Sequence, residues 1–253
     1  MTSVLVTGAG RGLGLAFVKE LVSLSHISRI IASVRSLSAE LEGIAKASSG
    51  RVTIVTFDVA DEESIRKAVP EVEAALGKGN GLDILINNVG IAKWAPDGTK
   101  SMASEDLEES FRVNVLGVHW VTRTFLPLLQ AGKLKKVANI GTTLGSLTLA
   151  EQYTWAACPA YKISKAAAHA LTVQYALEYG KDGFTFIALS PGWLKTDLGG
   201  GDAADLTPEQ GAKASLDIIW KPNDQTNGKL TVVKVPGFEN RPLNSYDGKD
   251  APW

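Results

Sequence analysis

Several features that would assign the chain to a specialised class of protein are scarce or missing. A single cysteine, Cys158, excludes an internal disulfide, which agrees with a reducing compartment. The 26 basic and 27 acidic side chains leave a net charge of -1, so no overall field would attract nucleic acid or anionic lipid. We therefore expect no nucleic-acid partner.

Long apolar runs are also missing. The longest uncharged stretch near the middle, residues 137–150, is too short and too rich in glycine, threonine and serine to span a bilayer. No basic leader followed by an apolar segment is visible in the sequence. We therefore expect no membrane partner and a cytoplasmic location. The three histidines, His26, His119 and His169, lack the spacing of metal ligands, so we expect no metal site.

The sequence is rich in glycine, with 25 residues, and in short runs of β-branched residues. Seven such runs predict strands at residues 4–7, 30–34, 52–57, 82–86, 137–140, 184–189 and 230–235. Most are continuously apolar, which is typical of parallel strands covered on both faces. The segments between them repeat apolar residues with helical spacing, for example Leu13, Phe17 and Leu21.

This β-α alternation predicts a Rossmann-type three-layer α/β/α sandwich with a seven-stranded parallel sheet. No linker or low-complexity tract interrupts the alternation, so we expect a single domain over residues 1–253. Residues 236–253 contain three prolines and several glycine, asparagine and aspartate residues, which predicts an irregular tail.

A glycine-rich turn follows the first predicted strand. Gly8, Gly12 and Gly14 form the pattern G-x-x-x-G-x-G, and a helical pattern begins at once. Glycines at such a turn permit positive φ and the close approach of a pyrophosphate, while the helix N-terminus offers free N–H groups to anionic oxygens. The turn predicts a dinucleotide site, although taken alone it also suits a plain connection between strand and helix.

Two arginines indicate which dinucleotide is bound. Sites that prefer NAD place a carboxylate on the ribose 2′-hydroxyl, about 20 residues after the turn. Residues 30–37 contain no carboxylate, and Arg35 directly follows the second predicted strand. Arg35 and Arg11 offer guanidinium donors that suit a 2′-phosphate, so we predict NADP(H) as the cofactor. The alternative is that both arginines are only solvated.

Tyr161 and Lys165 are four residues apart and share one face of a predicted helix. An ammonium beside a phenol favours the phenolate and lowers its pKa from about 10 toward neutral pH, which suits proton transfer. Such a pair also arises by chance on exposed helices, so the motifs that accompany it decide its meaning.

Six motifs occur together, in an informative order. They are T-G-x-x-x-G-x-G at residues 7–14, Asp58-Val59, N-N-V-G at residues 87–90, Asn114, Y-x-x-x-K at residues 161–165 and Pro191-Gly192. In this order, and at the ends of the predicted strands, they resemble the short-chain dehydrogenase/reductase family. Residues 11–15, 191–197 and 246–248 further resemble the sniffer-like carbonyl reductases and related fungal ketoreductases.

The resemblance implies a role for each matching residue. Together with Arg35, the residues that would bind NADP(H) are Gly8, Arg11, Gly12, Leu13, Gly14, Asp58, Val59, Asn87, Gly90, Tyr161, Lys165, Leu194 and Thr196. Gly8 to Gly14 would hold the pyrophosphate and the adenosine ribose. Asp58 would accept a hydrogen bond from the adenine amine, and Asn87 and Gly90 would line the path of the adenosine-side ribose. Leu194 and Thr196 would fix the nicotinamide carboxamide. The resemblance implies four catalytic residues, Asn114, Thr142, Tyr161 and Lys165, of which Tyr161 would be the general acid and Asn114 would hold a water.

The chain departs from the family pattern at the residue expected to polarise the substrate. Thr142 stands three residues before Gly145, where family members carry serine. Threonine keeps a hydroxyl, but its β-methyl restricts χ1 and takes space. We expect Thr142 to keep the role, with Thr143 and Ser146 as substitute donors.

Two further departures concern neighbouring loops. Val89 replaces the alanine of N-N-A-G, which calls for local repacking. A stretch of 18 residues, among them Trp155, separates Thr142 from Tyr161, and we expect it to wall the substrate pocket. Trp193 is the candidate for stacking on substrate, with core packing under the lid as the alternative. The glycine-rich residues 197–206 are predicted to form that lid.

These features predict an NADPH-dependent carbonyl reductase that acts on a small-molecule ketone or aldehyde. Two alternatives remain: a biosynthetic member of the family that performs another transformation, and a sensor or scaffold that binds NADP(H) without turnover. The resemblance also implies a homodimer or homotetramer formed through the helices that carry Asn114 and Tyr161.

Overall fold

The computed structural model describes residues 2–241 and 243–253. Its strands are β1 (Thr2–Thr7), β2 (Ile27–Val34), β3 (Val52–Thr56), β4 (Ile84–Asn87), β5 (Lys136–Ile140), β6 (Thr185–Ser190), β7 (Leu230–Val232) and β8 (Asp250–Ala251). They form one sheet in the order β3-β2-β1-β4-β5-β6-β7-β8. The chain reverses direction across the sheet between β1 and β4, which are parallel neighbours. In such sheets ligands bind at the carboxyl ends of the strands beside this reversal.

The helices are α1 (Gly12–Ser23), α2 (Ala39–Ala47), α3 (Glu62–Leu76), α4 (Ser104–Phe111), α5 (Gly117–Ala131), α6 (Pro159–Tyr179), α7 (Pro208–Ile219) and α8 (Asn223–Thr226). A π-helical segment, Arg112–Leu116, joins α4 to α5. Several helices begin at a side-chain cap, for example α7, where Thr207 and Gln210 form a reciprocal capping box. None of the helices in residues 2–241 and 243–253 combines the length and apolarity needed to cross a bilayer.

The core is divided by the sheet into two layers. Val4 and Val6 of β1 point to the layer that contains Phe17 of α1, whereas Leu5 points to the layer that contains Phe125 of α5. Because successive side chains of a strand alternate between faces, a strand covered on both sides must be apolar at every position. The sheet with a core layer on each face confirms the predicted Rossmann-type sandwich and explains the continuous apolar runs.

The predicted strand count is corrected by the tail. Residues 236–253 are irregular for most of their length, but Asp250–Ala251 pair antiparallel with β7 and make an eighth strand. The Thr231 hydroxyl donates to the Asp250 carboxylate at 2.7 Å and holds this short edge in register. A strand of two residues is too short to show a periodic pattern of apolar residues, so the sequence did not predict it. Strand β7 itself ends at Val232, three residues earlier than predicted.

Candidate functional site

One large cleft opens at the carboxyl ends of the strands, with a volume of about 1060 Å³. It is lined by the turn after β1 and by the loops that follow β2, β3, β4, β5 and β6. Most of the predicted site residues line it, namely Gly8, Arg11, Gly12, Leu13, Arg35, Asp58, Val59, Gly90, Thr142, Tyr161, Lys165, Trp193, Leu194 and Thr196. Asn87, Asn114 and Gly14 do not line it but lie behind its wall.

The glycine-rich turn forms part of the floor of the cleft, and its glycines place no side chain there. Gly8 and Gly12 adopt positive φ values of 67° and 54°, which L side chains rarely reach. A Cβ on Gly14 would lie 2.1 Å from the Gly8 carbonyl oxygen, so only glycine allows α1 to start this close to β1. Asn88 supports the turn from behind, since its side-chain amide donates to the Thr7 carbonyl at 2.9 Å.

Two arginines, each beside a carboxylate, line the cleft after β1 and β2. Arg35 lies at the edge of the cleft with its Nη1 3.9 Å from Oδ2 of Asp58. The other oxygen of Asp58 accepts from the Ala60 amide at 2.9 Å. Arg11 reaches across to the lid and pairs with Asp197 at 2.5 Å. Both arginines are mostly exposed, so each can turn toward an anionic ligand.

Asn87 differs from its expected place on the ribose path. Its side-chain amide donates to the Thr122 hydroxyl at 3.0 Å and to Asn139 Oδ1 at 2.8 Å, inside the layer beneath the cleft. The reason is strand alternation: Asn87 belongs to β4 itself, and its side chain falls on the face toward α5. Gly90, in the loop beyond, lines the cleft as expected.

Tyr161 and Lys165 lie on one face of α6 and both reach the cleft. The Lys165 ammonium nitrogen is 5.7 Å from the centroid of the Tyr161 ring and donates to the Ile140 carbonyl at 2.6 Å. Burial lowers the pKa of Lys165 to about 8. Burial also raises the pKa of Tyr161, and a hydrogen bond with Thr142 only partly opposes this rise.

The direction of the Tyr161 shift differs from the sequence-based expectation. Proximity of an ammonium predicts a lowered phenol pKa, but both side chains are buried, and the cost of ionising a buried phenol is larger than the benefit of a cation beyond contact distance. The raised pKa favours the protonated phenol, which is the form able to donate a proton to a substrate oxygen.

Thr142 presents its hydroxyl between β5 and α6. Its Oγ1 accepts from the Leu144 amide at 3.2 Å and caps the short 3-10 turn Thr143–Gly145. Ser146, one of the substitute donors, is buried and its hydroxyl accepts from the Leu149 amide at 3.1 Å. Thr143, the other, lines a separate small cavity. Of the three hydroxyls, only that of Thr142 belongs to a residue lining the main cleft.

Asn114 sits in the π-helical segment, a local irregularity that is frequent at functional sites. Its Oδ1 accepts from the Ile91 amide at 2.9 Å, and its Nδ2 donates both to the Ile91 carbonyl and to the Ser164 hydroxyl at 2.9 Å. These bonds connect the loop after β4 to Ser164 of α6, the residue that precedes Lys165. The sequence analysis missed Ser164, which lies on the buried face of α6 together with Tyr161 and Lys165.

The end of the cleft beyond Tyr161 is walled by aromatic and apolar groups. Trp155 packs against Trp193 with ring centroids 5.3 Å apart and an interplanar angle of 44°, and Trp94 also lines the cleft. Cys158 lies beside Tyr161, and burial raises the pKa of its thiol. The long stretch between Thr142 and Tyr161 therefore does supply part of this wall.

The segment predicted to form the lid, residues 197–206, is hydrogen-bonded to Trp193 near both of its ends. The Trp193 indole donates to the Gly199 carbonyl at 2.6 Å, and the Leu206 amide donates to the Trp193 carbonyl at 3.0 Å. Tyr246 of the tail is buried and its hydroxyl donates to Asp205 at 2.6 Å. Trp193 thus lines the cleft and also anchors residues 197–206, while its stacking on substrate stays a prediction. The role of Tyr246 was missed because the contact spans 41 residues.

Two fungal proteins illustrate the similarity of the chain to known sequences. It is 34% identical over 262 residues to the short-chain dehydrogenase/reductase atnB of an Arthrinium species, with 99% of this chain and 95% of that protein covered. It is 32% identical over 227 residues to the short chain dehydrogenase virK of Hypocrea virens, with 84% and 80% covered.

Solved structures agree with the fold over the whole chain. The carbonyl reductase Sniffer of D. melanogaster superposes with a TM-score of 0.86 at 28% identity, covering 100% of both chains. An NADPH-bound carbonyl reductase from chicken fatty liver superposes with a TM-score of 0.85 at 29% identity, covering 100% of this chain and 94% of the other. A family model described as short chain dehydrogenase matches residues 2–206, from β1 to the last residue of the lid. The glycine-rich turn, the Tyr161-Lys165 pair and most of the cleft lining fall inside that match, and the chain belongs to the short chain dehydrogenase family.

Proposed function

We propose that the protein is an NADPH-dependent carbonyl reductase that converts a ketone or aldehyde to an alcohol. The observation that carries the proposal is that Thr142, Tyr161 and Lys165 line the same cleft as the glycine-rich turn. A nucleotide held at the turn would extend along the strand ends toward these three side chains. Both superposed proteins are named carbonyl reductases, and the chicken protein is bound to NADPH, which supports the same conclusion.

The residues of the cleft fit a dinucleotide. The bare backbone of Gly8 and Gly12 leaves room for a pyrophosphate at the start of α1, and Arg11 and Arg35 supply the cations that a 2′-phosphate requires. Gly90 leaves space beside Lys165, since a Cβ there would lie 3.5 Å from the ammonium nitrogen. Leu194 and Thr196 would hold the far end of the cofactor. When bound, NADPH supplies the hydride for the reduction.

Tyr161 acts in this proposal as the general acid. Its phenol, whose pKa is raised by burial, donates its proton to the carbonyl oxygen as that oxygen gains negative charge. The Thr142 hydroxyl donates a hydrogen bond to the same oxygen and polarises the carbonyl. Lys165 holds the ribose of the cofactor, and Asn114 keeps the loop after β4 against α6. Most of the rate acceleration would come from positioning and electrostatics.

The walls of the pocket favour an apolar substrate body. Trp94, Trp155 and Trp193 offer ring faces, and Ala156, Cys158 and Tyr161 form a buried apolar cluster beside them.

We further propose that the chain works as one domain with its lid at residues 197–206. We place the protein in the cytoplasm, as a homodimer or homotetramer.

Reduction of a panel of carbonyl compounds tests the proposed function. With NADPH and an aromatic ketone, a quinone or an aromatic aldehyde, we expect NADPH consumption and formation of the corresponding alcohol or hydroquinone. Absorbance at the nicotinamide band measures the rate, and product analysis identifies the alcohol. Tight NADPH binding without consumption on any member of the panel would instead favour a sensor or scaffold, and a different product would favour a biosynthetic enzyme of another reaction class.

Replacing Arg35 by aspartate should reverse the cofactor preference. The carboxylate would repel a 2′-phosphate and accept from a 2′-hydroxyl, so we expect the ratio of kcat/KM for NADPH over NADH to fall by about 100-fold. Arg29→Asp is the matched control, because Arg29 lies at the opposite end of β2 and outside the cleft. An unchanged ratio in Arg35→Asp would show that Arg35 is only a solvated side chain.

A further inference from the structure

His169 lies directly behind the loop that carries Thr142. It is buried on α6, one helical turn after Lys165 and two turns after Tyr161. The Thr142 backbone amide donates a long hydrogen bond to its Nε2, at 3.4 Å. A ring nitrogen that accepts must be unprotonated, so the imidazole carries its proton on Nδ1.

The loop at residues 141–145, which carries Thr142, leaves room for the imidazole ring because both of its ends are glycine. A Cβ on Gly141 would lie 2.8 Å from Nε2 of His169, and a Cβ on Gly145 would lie 2.8 Å from Cε1. The ring therefore packs against bare backbone on both sides of Thr142. Close packing of this kind transmits small displacements, because neither side has free volume to absorb them.

The charge state of His169 suits an acceptor. Burial and the nearby Lys165 charge lower its pKa to about 3. The ring is consequently neutral across the working range of pH, and Nε2 stays available to the Thr142 amide. A protonated ring would instead present a second N–H to that amide.

Trp253 covers the other side of the imidazole. The two ring centroids are 5.5 Å apart at an interplanar angle of 51°. The main-chain oxygen of Trp253 accepts from the Thr148 amide at 3.1 Å and from the Thr148 hydroxyl at 2.7 Å. Trp253 is thus attached to the continuation of the same loop that His169 supports.

We propose that His169, backed by Trp253, is a positioning residue that holds the Thr142 hydroxyl at the reacting carbonyl. The proposal rests on the proposed reductase function, in which Thr142 polarises the substrate. His169 itself touches no substrate: it does not line the cleft, and it acts through the backbone of residues 141–145.

A double-mutant cycle on kcat tests whether His169 acts through Thr142. We expect His169→Leu to lower kcat about tenfold with little change in the Kd of NADPH, because a small misplacement of a catalytic group is costly. In a Thr142→Ala background the same change should lower kcat less than about twofold, since the hydroxyl to be positioned is gone. His169→Gln, whose amide oxygen replaces Nε2 as the acceptor, should recover most of the activity. Fully multiplicative effects would overturn the proposal.

Hydrogen–deuterium exchange supplies a readout that needs no substrate. In His169→Leu, peptides covering residues 141–146 should exchange about tenfold faster, while peptides of β1 and β4 keep the wild-type rate. Trp253→Ala should give a smaller increase and Trp253→Phe almost none. His119→Leu is the matched control, because His119 lies on α5 and contacts Tyr175 instead.

The exchange and kinetic results separate the two proposals. If the wild-type protein reduced no carbonyl compound, the reductase function would be refuted. Faster exchange of residues 141–146 in His169→Leu would still show that His169 supports the loop. Unchanged exchange in His169→Leu would refute the support of the loop, whatever the activity.

Discussion

Tyr161→Phe should lower turnover by about 1000-fold while the Kd of NADPH changes by less than about threefold, because general acid catalysis contributes roughly 100- to 10,000-fold. The substitution removes one oxygen atom and leaves the ring in its apolar cluster with Cys158 and Ala156. The loss therefore reports on the proton, not on packing. Single-turnover kinetics with prebound NADPH measure the chemical step, and fluorescence titration measures cofactor affinity.

Tyr179→Phe is the matched control for this experiment. Tyr179 lies at the last residue of the same helix, outside the cleft, so loss of its hydroxyl should leave turnover unchanged. If Tyr161→Phe kept more than about a tenth of the wild-type rate, the proton would have to come from another group, and the role of Tyr161 as general acid would be wrong.

Gly14→Ala should weaken NADPH binding by about 100-fold or more, equivalent to about 2.7 kcal/mol. An added Cβ would lie 2.1 Å from the Gly8 carbonyl oxygen and 2.6 Å from Nδ2 of Asn88, so α1 or the turn has to move. Neither obstacle is a flexible side-chain end that could swing away, since Asn88 is itself bonded to the Thr7 carbonyl. We also expect the free energy of unfolding to fall by about 1–3 kcal/mol, the usual cost of overpacking.

Gly43→Ala provides the comparison, because Gly43 is also helical and a Cβ there meets nothing within 4 Å. This change should leave NADPH affinity unaltered and raise the free energy of unfolding by about 0.4–1 kcal/mol. Isothermal titration and urea unfolding of both variants measure the two effects. Wild-type affinity in Gly14→Ala would contradict the close approach of α1 to β1.

Local patterns were sufficient for much of the fold. Apolar runs predict β1, β2 and β4, and a 3.6-residue spacing of apolar residues predicts α1 and α6. Such patterns are visible locally because burial of a strand or of one helix face selects apolar residues at regular positions along the chain. The run of β7 was placed correctly at its start and three residues too long at its end. Element ends depend on what packs beyond them, and that information is not local.

The candidate site divides in the same way. The turn at Gly8 to Gly14 and the Tyr161-Lys165 pair are short segments whose geometry follows from one turn or one helix, so their sequence spacing predicts their placement. Their catalytic and binding roles remain predictions. Asn87 shows the limit of spacing, because one position along a strand decides whether a side chain faces the cleft or the layer below it.

The sequence by itself determined the fold class, the glycine-rich turn and the residue types that can transfer a proton, because each depends on periodicity or on contacts within a few residues. Only the tertiary structure decided that burial raises the pKa of Tyr161, that Trp155 packs against Trp193, and that the Thr142 amide meets the His169 ring. Those properties depend on burial and on contacts between residues 27 to 38 positions apart, which become neighbours only when the sheet and its helices have assembled.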